Sequence, residues 1–134
     1  MTEYIVEIID DDEITIPFPE VVADVVAGED IPISKIVRSD PTGLIFMADN
    51  LTDIGDIIGV TTEGVLASET TRFTAVGRIP VLGSEAGKNY FLGLAGEFTD
   101  IPPEDGILKF MGSCYEDGYI TLLPGPTIRR RTWP

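Results

Sequence analysis

Short runs of Ile, Val, Phe and Thr, each broken by glycine or proline before it reaches the length of a stable helix, constrain this chain more than any other feature. Its 14 glycines and 10 prolines fall between these runs, consistent with many short strands joined by turns roughly every eight to twelve residues. The expected class is all-β. Residues 86–103, AGKNYFLGLAGEFTDIPP, are the sharpest instance. Tyr90, Phe91 and Leu92 make an apolar strand and Gly93 to Gly96 supply a turn with freedom for positive φ. Glu97-Phe98-Thr99 then begin a return strand that Pro102-Pro103 ends.

One stretch competes with strand. In residues 20–27, EVVADVVA, Val21, Val22, Val25 and Val26 stand at helical spacing with Gly28 as a C-cap. Valine is a mediocre helix former and the stretch is short, so a helical turn and a strand are both open. Before it, residues 3–19 alternate in two pieces: Tyr4, Val6 and Ile8, then Ile14, Ile16 and Phe18 after the acidic break Asp10 to Glu13. After it, Asp40-Pro41-Thr42-Gly43 reads as the turn of a hairpin. Residues 55–82 read as three further short strands separated by Gly64, Ser68-Glu69-Thr70 and Gly77. Glu116-Asp117-Gly118 reads as a second tight hairpin connection.

The charge balance excludes whole classes of partner. With 23 acids against 9 bases the net charge is −14, which repels phosphate backbones and anionic lipid surfaces alike. Neither nucleic acid nor membrane is an expected partner. Cys114 is the single cysteine, so no intrachain disulfide forms and folding in a reducing cytosol is expected. The acidic N-terminus lacks the bases of a signal peptide, and no apolar run is long enough to span a bilayer. At 134 residues a single core is expected.

Catalytic chemistry finds little to work with. Histidine is absent, which removes the commonest general base and zinc ligand. Cys114, in GSCYE, has no neighbouring base and reads as a small buried hydrophobe. Asp10 to Glu13 fails as a calcium loop because Ile14 and Thr15 stand where ligands and a glycine are needed. Gly93-Leu94-Ala95-Gly96 opens no helix and is neither a dinucleotide fingerprint nor a P-loop. Asn50-Leu51-Thr52 matches a glycosylation sequon but follows no secretory signal. The expectation is a protein without enzyme activity, catalytic residues, cofactor or metal.

Assembly is the reading the ends of the chain favour. The first thirty residues carry ten acids and no base, whereas Arg129-Arg130-Arg131-Thr132-Trp133-Pro134 form a basic end. Unpaired strands and a terminal tryptophan gain stability when another subunit supplies the missing face. The expected organisation is an acidic N-terminal arm over 1–32, a β-sandwich or barrel over 33–128 and a basic tail over 129–134. The expected interface residues are Tyr4, Val6, Ile8, Ile14, Ile16 and Phe18 in the arm and Arg129, Arg130, Arg131 and Trp133 at the end.

Five segments in order, IVRSDPTGLIFMAD, DIIGVTTEGV, TAVGRI, KNYFLGLAGEFTDIPP and ILKFMGSCYEDGYITLLPGP, resemble a small β module that recurs in tailed-bacteriophage virion proteins. These include head decoration, head-fibre, tail-fibre and appendage proteins. The resemblance implies a noncatalytic, usually trimeric module fastened to the particle by an N-terminal arm. The expected role is therefore a head decoration (capsid cement) or head-fibre protein in the virion. Its implied partners are copies of itself and the major capsid protein or another virion protein. The alternatives are a tail-fibre, collar or baseplate adaptor, or a host-glycan-binding module using Tyr90, Tyr115, Tyr119 or Trp133.

Overall fold

The computed structural model describes residues 20–21, 24–51 and 56–130, and these form strands and turns without a helix. The all-β class is what the sequence predicts. The strands are β1 (Glu20–Val21), β2 (Val25–Ala27), β3 (Ile36–Ser39), β4 (Leu44–Met47), β5 (Asp56–Thr61) and β6 (Thr70–Thr71) in the first half. The second half holds β7 (Phe73–Pro80), β8 (Asn89–Leu92), β9 (Phe98–Thr99), β10 (Gly106–Glu116), β11 (Tyr119–Leu122) and β12 (Thr127–Arg130). They join in one open mixed sheet, ordered β6-β2-β4-β3-β5-β7-β11-β10-β8-β9, with β1 added to β7 and β12 to β10.

Local turn chemistry builds the hairpins. Asp40 Oδ1 accepts from the Thr42 and Leu44 amides at 2.9 and 3.1 Å and from the Thr42 hydroxyl at 2.6 Å, closing the turn between β3 and β4. These bonds, the Thr42 hydroxyl foremost, hold the exposed Asp40 carboxyl below its ordinary pKa. Asp117 and Gly118 likewise connect β10 to β11, and β8 pairs β9 across the glycine turn at Leu92–Phe98 and Phe91–Thr99.

The valines at 25 and 26 resolve as strand. β2 lies between β4, to which it is parallel at Leu44 and Ile45, and β6, to which it is antiparallel at Thr70 and Thr71. With ladders on both sides the β-branched side chains meet no crowded helical turn. Within the stretch 1–32, β1 and β2 thus belong to the sheet, and Ile31 is buried and makes an isolated antiparallel bridge to Val65. The break expected at Gly77 does not occur. β7 runs through it, pairing with β5 at Phe73 and Thr74 and with β11 from Gly77 to Pro80. Gly77 has φ of 117°, a conformation open to glycine that lets the strand change neighbours without ending.

Two apolar clusters lie on opposite sides of β3. Ile36 joins the larger with Val60, Ile79, Leu92, Met111 and Ile120, whereas Val37 joins the smaller with Ala27, Ile31, Ile45, Val65 and Phe73. Adjacent residues point to opposite faces, and here both faces are covered. A bulge serves the same division in β5: Val37 faces Gly59 and Arg38 faces Ile57, leaving Ile58 as the extra residue. Ile57 and Val60 then pack on the larger cluster and Ile58 on the smaller. Thr74 is fully buried with its hydroxyl unpartnered among the described residues. Thr74→Val keeps the shape and removes that desolvated group, so a gain of about 1 kcal/mol is expected in urea denaturation; a loss would show that the hydroxyl has a partner.

β10 is flanked on both sides at Gly112, which faces Tyr90 of β8 and Leu122 of β11. Beyond Leu122, the amides of Leu123 and Gly125 donate to the Met111 and Phe110 carbonyls at 3.0 and 2.9 Å. The chain thus stays on one edge of β10 through Pro124-Gly125-Pro126, and β12 resumes the ladder opposite Lys109 to Gly106.

Candidate assembly surface

Several large apolar residues in turn segments lie outside the core. Leu82, in the turn after β7, has a relative exposure of 101%, and Ile101, before Pro102, one of 72%. Ile33 and Leu94 are also exposed. Ile33 and Leu82 line a cleft of about 380 Å³, floored by Val81 and Tyr90 and walled by Lys35, Glu97 and Phe98. Pro32 also lines a second cleft, of about 390 Å³, with Val65 and Leu66. Glu97 also lines a third, of about 380 Å³, with Leu94 and Ile101. Shared walls make these three depressions neighbours, and four of the exposed apolar side chains named here stand in two of them.

Ion pairs rim this surface. Lys35 bonds to Glu97. Lys88 reaches Glu85 and Asp100 at 2.8 and 2.9 Å; the Glu85 bond leads the causes that raise the lysine pKa, and Lys88 in turn lowers that of Asp100. These exposed pairs add little stability but keep opposite charges beside an apolar patch. On β11 and β7, Arg78 lies 4.1 Å over the Tyr119 ring and bonds to Glu116. Tyr115 is 77% exposed.

The expected site residues divide between described and undescribed parts of the chain. Tyr4, Val6, Ile8, Ile14, Ile16 and Phe18 lie outside the described residues, as do Arg131 and Trp133. Arg129 and Arg130 stand in β12, opposite Ile107 and Gly106 of β10. Of the aromatics proposed to meet sugars, Tyr115 and Tyr119 are exposed but Tyr90 is not. Tyr90 is 7% exposed, and its hydroxyl accepts the Glu85 amide at 2.9 Å. Its ring belongs to the larger core, because the inward positions of β8 alternate with Phe91. Cys114 is also buried, with its thiol 3.1 Å from the Glu116 carbonyl. No three His, Cys, Asp or Glu side chains among the described residues group to hold a metal ion.

Sequence reasoning passed over Leu82, Leu94 and Ile101. Their signal was present, since each is a large apolar residue beside glycine or proline in a turn. It also passed over Lys109, which is 8% exposed on β10 and whose ammonium donates to the Gly125 carbonyl at 2.5 Å. Desolvation pushes its pKa below the ordinary 10.5. The folded state therefore loses its proton before the unfolded state as pH rises toward that value. The burial cost is present at neutral pH and is relieved across this alkaline window. Lys109→Met is expected to stabilise the protein by about 1 kcal/mol at pH 7, with the difference shrinking by pH 10; a constant difference would remove titration from the account.

Compared with known proteins, the chain matches no family model, and no curated protein matches it.

Proposed function

We propose that this chain is a noncatalytic structural protein of a tailed-bacteriophage virion, a head decoration or head-fibre protein that binds the capsid surface as a homotrimer. The observation that carries the assembly reading is the set of exposed apolar side chains, Ile33, Leu82, Leu94 and Ile101, along neighbouring depressions. Exposed apolar side chains grouped along neighbouring clefts favour contact with another protein. Their burial is worth about 25 cal/mol per Å². The virion assignment is supported by the resemblance of the five segments between residues 33 and 128. The two clusters on either side of β3 support a sandwich or barrel, with the larger cluster as its interior.

The arm strands Tyr4 to Ile8 and Ile14 to Phe18 fasten the protein by adding to a sheet edge or lying across a capsid seam. Full-length protein, a chain lacking residues 1–19, and Leu82→Asp/Ile101→Asp are to be compared for binding to particles stripped of this protein. Full-length protein is expected to label the whole head when gold-conjugated antibody is viewed by electron microscopy. The truncation is expected to keep a folded body and lose attachment. The double substitution is expected to change stability by less than about 0.5 kcal/mol while weakening binding at least tenfold. A truncation that attaches equally well would sink this reading, and label confined to the neck or tail would move the protein to an adaptor role.

A further inference from the structure

The turn joining β8 to β9 is wedged into the ladder of another hairpin. In the β3–β4 register Val37 faces Met47 and Arg38 faces Phe46, so the next pair outward from the turn that brings both bonds together is Ile36 with Ala48. One bond of that pair is direct, from the Ala48 amide to the Ile36 carbonyl at 2.9 Å. The other runs through Gly96. The Ile36 amide donates to the Gly96 carbonyl at 2.9 Å, and the Gly96 amide donates to the Ala48 carbonyl at 2.6 Å. A Cβ on Gly96 would stand 3.0 Å from the Ile36 carbonyl oxygen and 3.2 Å from the Lys35 Cβ, and the φ of Gly96 is 76°. A side chain here would press on β3.

The wedge belongs to a unit closed by its own bonds. Within residues 93–97 the Gly93 amide donates to the Glu97 carbonyl at 2.8 Å and the Glu97 amide to the Leu94 carbonyl at 2.9 Å. Three further contacts hold this unit to its neighbours. Asp49 Oδ2 accepts the Ala95 amide at 3.2 Å, the Gly93 carbonyl accepts the Asn50 amide at 3.1 Å, and Glu97 pairs with Lys35. Ala95 has φ of 50°, the left-handed region that a residue with a Cβ enters at a cost. Because β8 and β9 stand at one end of the strand order and β3 and β4 in its other half, these bonds tie distant parts of the sheet together.

We infer that residues 93–97 are a strap with two states, of which the closed one builds the assembly surface and is held shut when a partner binds there. Opening costs little backbone pairing, because the Ile36 amide and the Ala48 carbonyl then bond each other in register while the turn keeps its internal bonds. Such a change of partners gives two discrete arrangements. The strap also shapes the clefts beside it. Glu97 and Phe98 wall the cleft that holds Ile33 and Leu82, whereas Gly93, Leu94 and Glu97 wall the one that holds Ile101. A partner covering both clefts finds its surface only in the closed state, so binding and closure favour each other by the same factor. This coupling rests on the assembly reading above.

The test uses the full-length chain and amide hydrogen exchange followed by NMR. In the open state the Gly96 amide meets water but the Ile36 amide has only changed partner, so protection at Gly96 is expected to be lower than at Ile36 by about tenfold or more. Equal protection overturns the strap, because a wedge lost only together with β3 would release both amides at once. Asp49→Ala, which unties the Ala95 amide, is expected to lower protection at Gly96 by a further factor of about five and leave Ile36 unchanged; an equal loss at both amides overturns the strap as well. Gly96→Ala is expected to make the open state dominant, weakening binding to stripped heads by about tenfold while Ile36 stays protected. Binding at the native level by a chain whose strap is open overturns the coupling. A native chain that binds no head overturns the assembly reading instead, and the exchange contrast between Gly96 and Ile36 still decides the strap.

Discussion

Gly106→Val is expected to cost about 4 kcal/mol of folding stability. Two independent penalties combine at this position. Gly106 has φ of 78°, a conformation that costs an L residue about 1–2 kcal/mol and a β-branched one more. A Cβ there would also overlap the Asn50 carbonyl oxygen. That oxygen accepts the Ile107 amide at 2.6 Å, and the Asn50 side-chain amide donates to the Asp105 carbonyl at 3.2 Å. Displacing Asn50 therefore breaks the brace at the start of β10. Because Gly106 faces Arg130, the damage should spread to β12, read as fast exchange of the Ile107 amide and a lower urea midpoint. A loss below about 1 kcal/mol would mean that Asn50 moves freely and that the brace has no energetic role.

The second large effect is expected in the pair Ile36→Ala and Val37→Ala. Both side chains are fully buried, yet they belong to different clusters on opposite faces of β3. Each truncation removes apolar contacts and leaves a cavity, about 3–4 kcal/mol for Ile36 and about 2–3 for Val37. Since the cavities open into separate clusters, the double variant should lose the sum to within about 0.5 kcal/mol. Against a total stability of roughly 5–15 kcal/mol, that sum is enough to unfold a marginal domain. A double variant far less damaged than the sum would show that the two clusters relax as one.

Hairpins were legible in the sequence because their causes are local. Asp40 can bond the amides of Thr42 and Leu44 whatever the rest of the chain does, and the apolar runs on either side then meet. The same holds for β8 with β9 and for β10 with β11. Valine at 25 and 26 was ambiguous for the opposite reason. Its conformation depends on β4 and β6, whose residues lie some twenty and forty-five positions away in the chain. Gly77 misled because glycine marks a turn and a strand bend equally well.

The surface was legible in part. Arg129 and Arg130 could be singled out by charge, but nothing local says that they stand in a strand paired with the start of β10. Tyr90 was misplaced among exposed aromatics because inward and outward positions on β8 are set by which face packs on the larger core cluster, where Tyr90 and Leu92 join Ile79, Met111 and Ile120. Lys109 is a similar case: its burial comes from the return of the chain at Gly125, sixteen residues later.

By itself the sequence determined strand class, the short-range hairpins and the acidic and basic segments. These follow from steric preference, turn geometry and charge, which act between near neighbours. Only the tertiary structure decided the strand order, the parallel β2–β4 pair, the two-sided burial of β3, the Asn50 brace at Gly106 and the pairing of β12 with β10. Those depend on contacts between distant residues, where many pairings satisfy the same local pattern and the burial of side chains selects one.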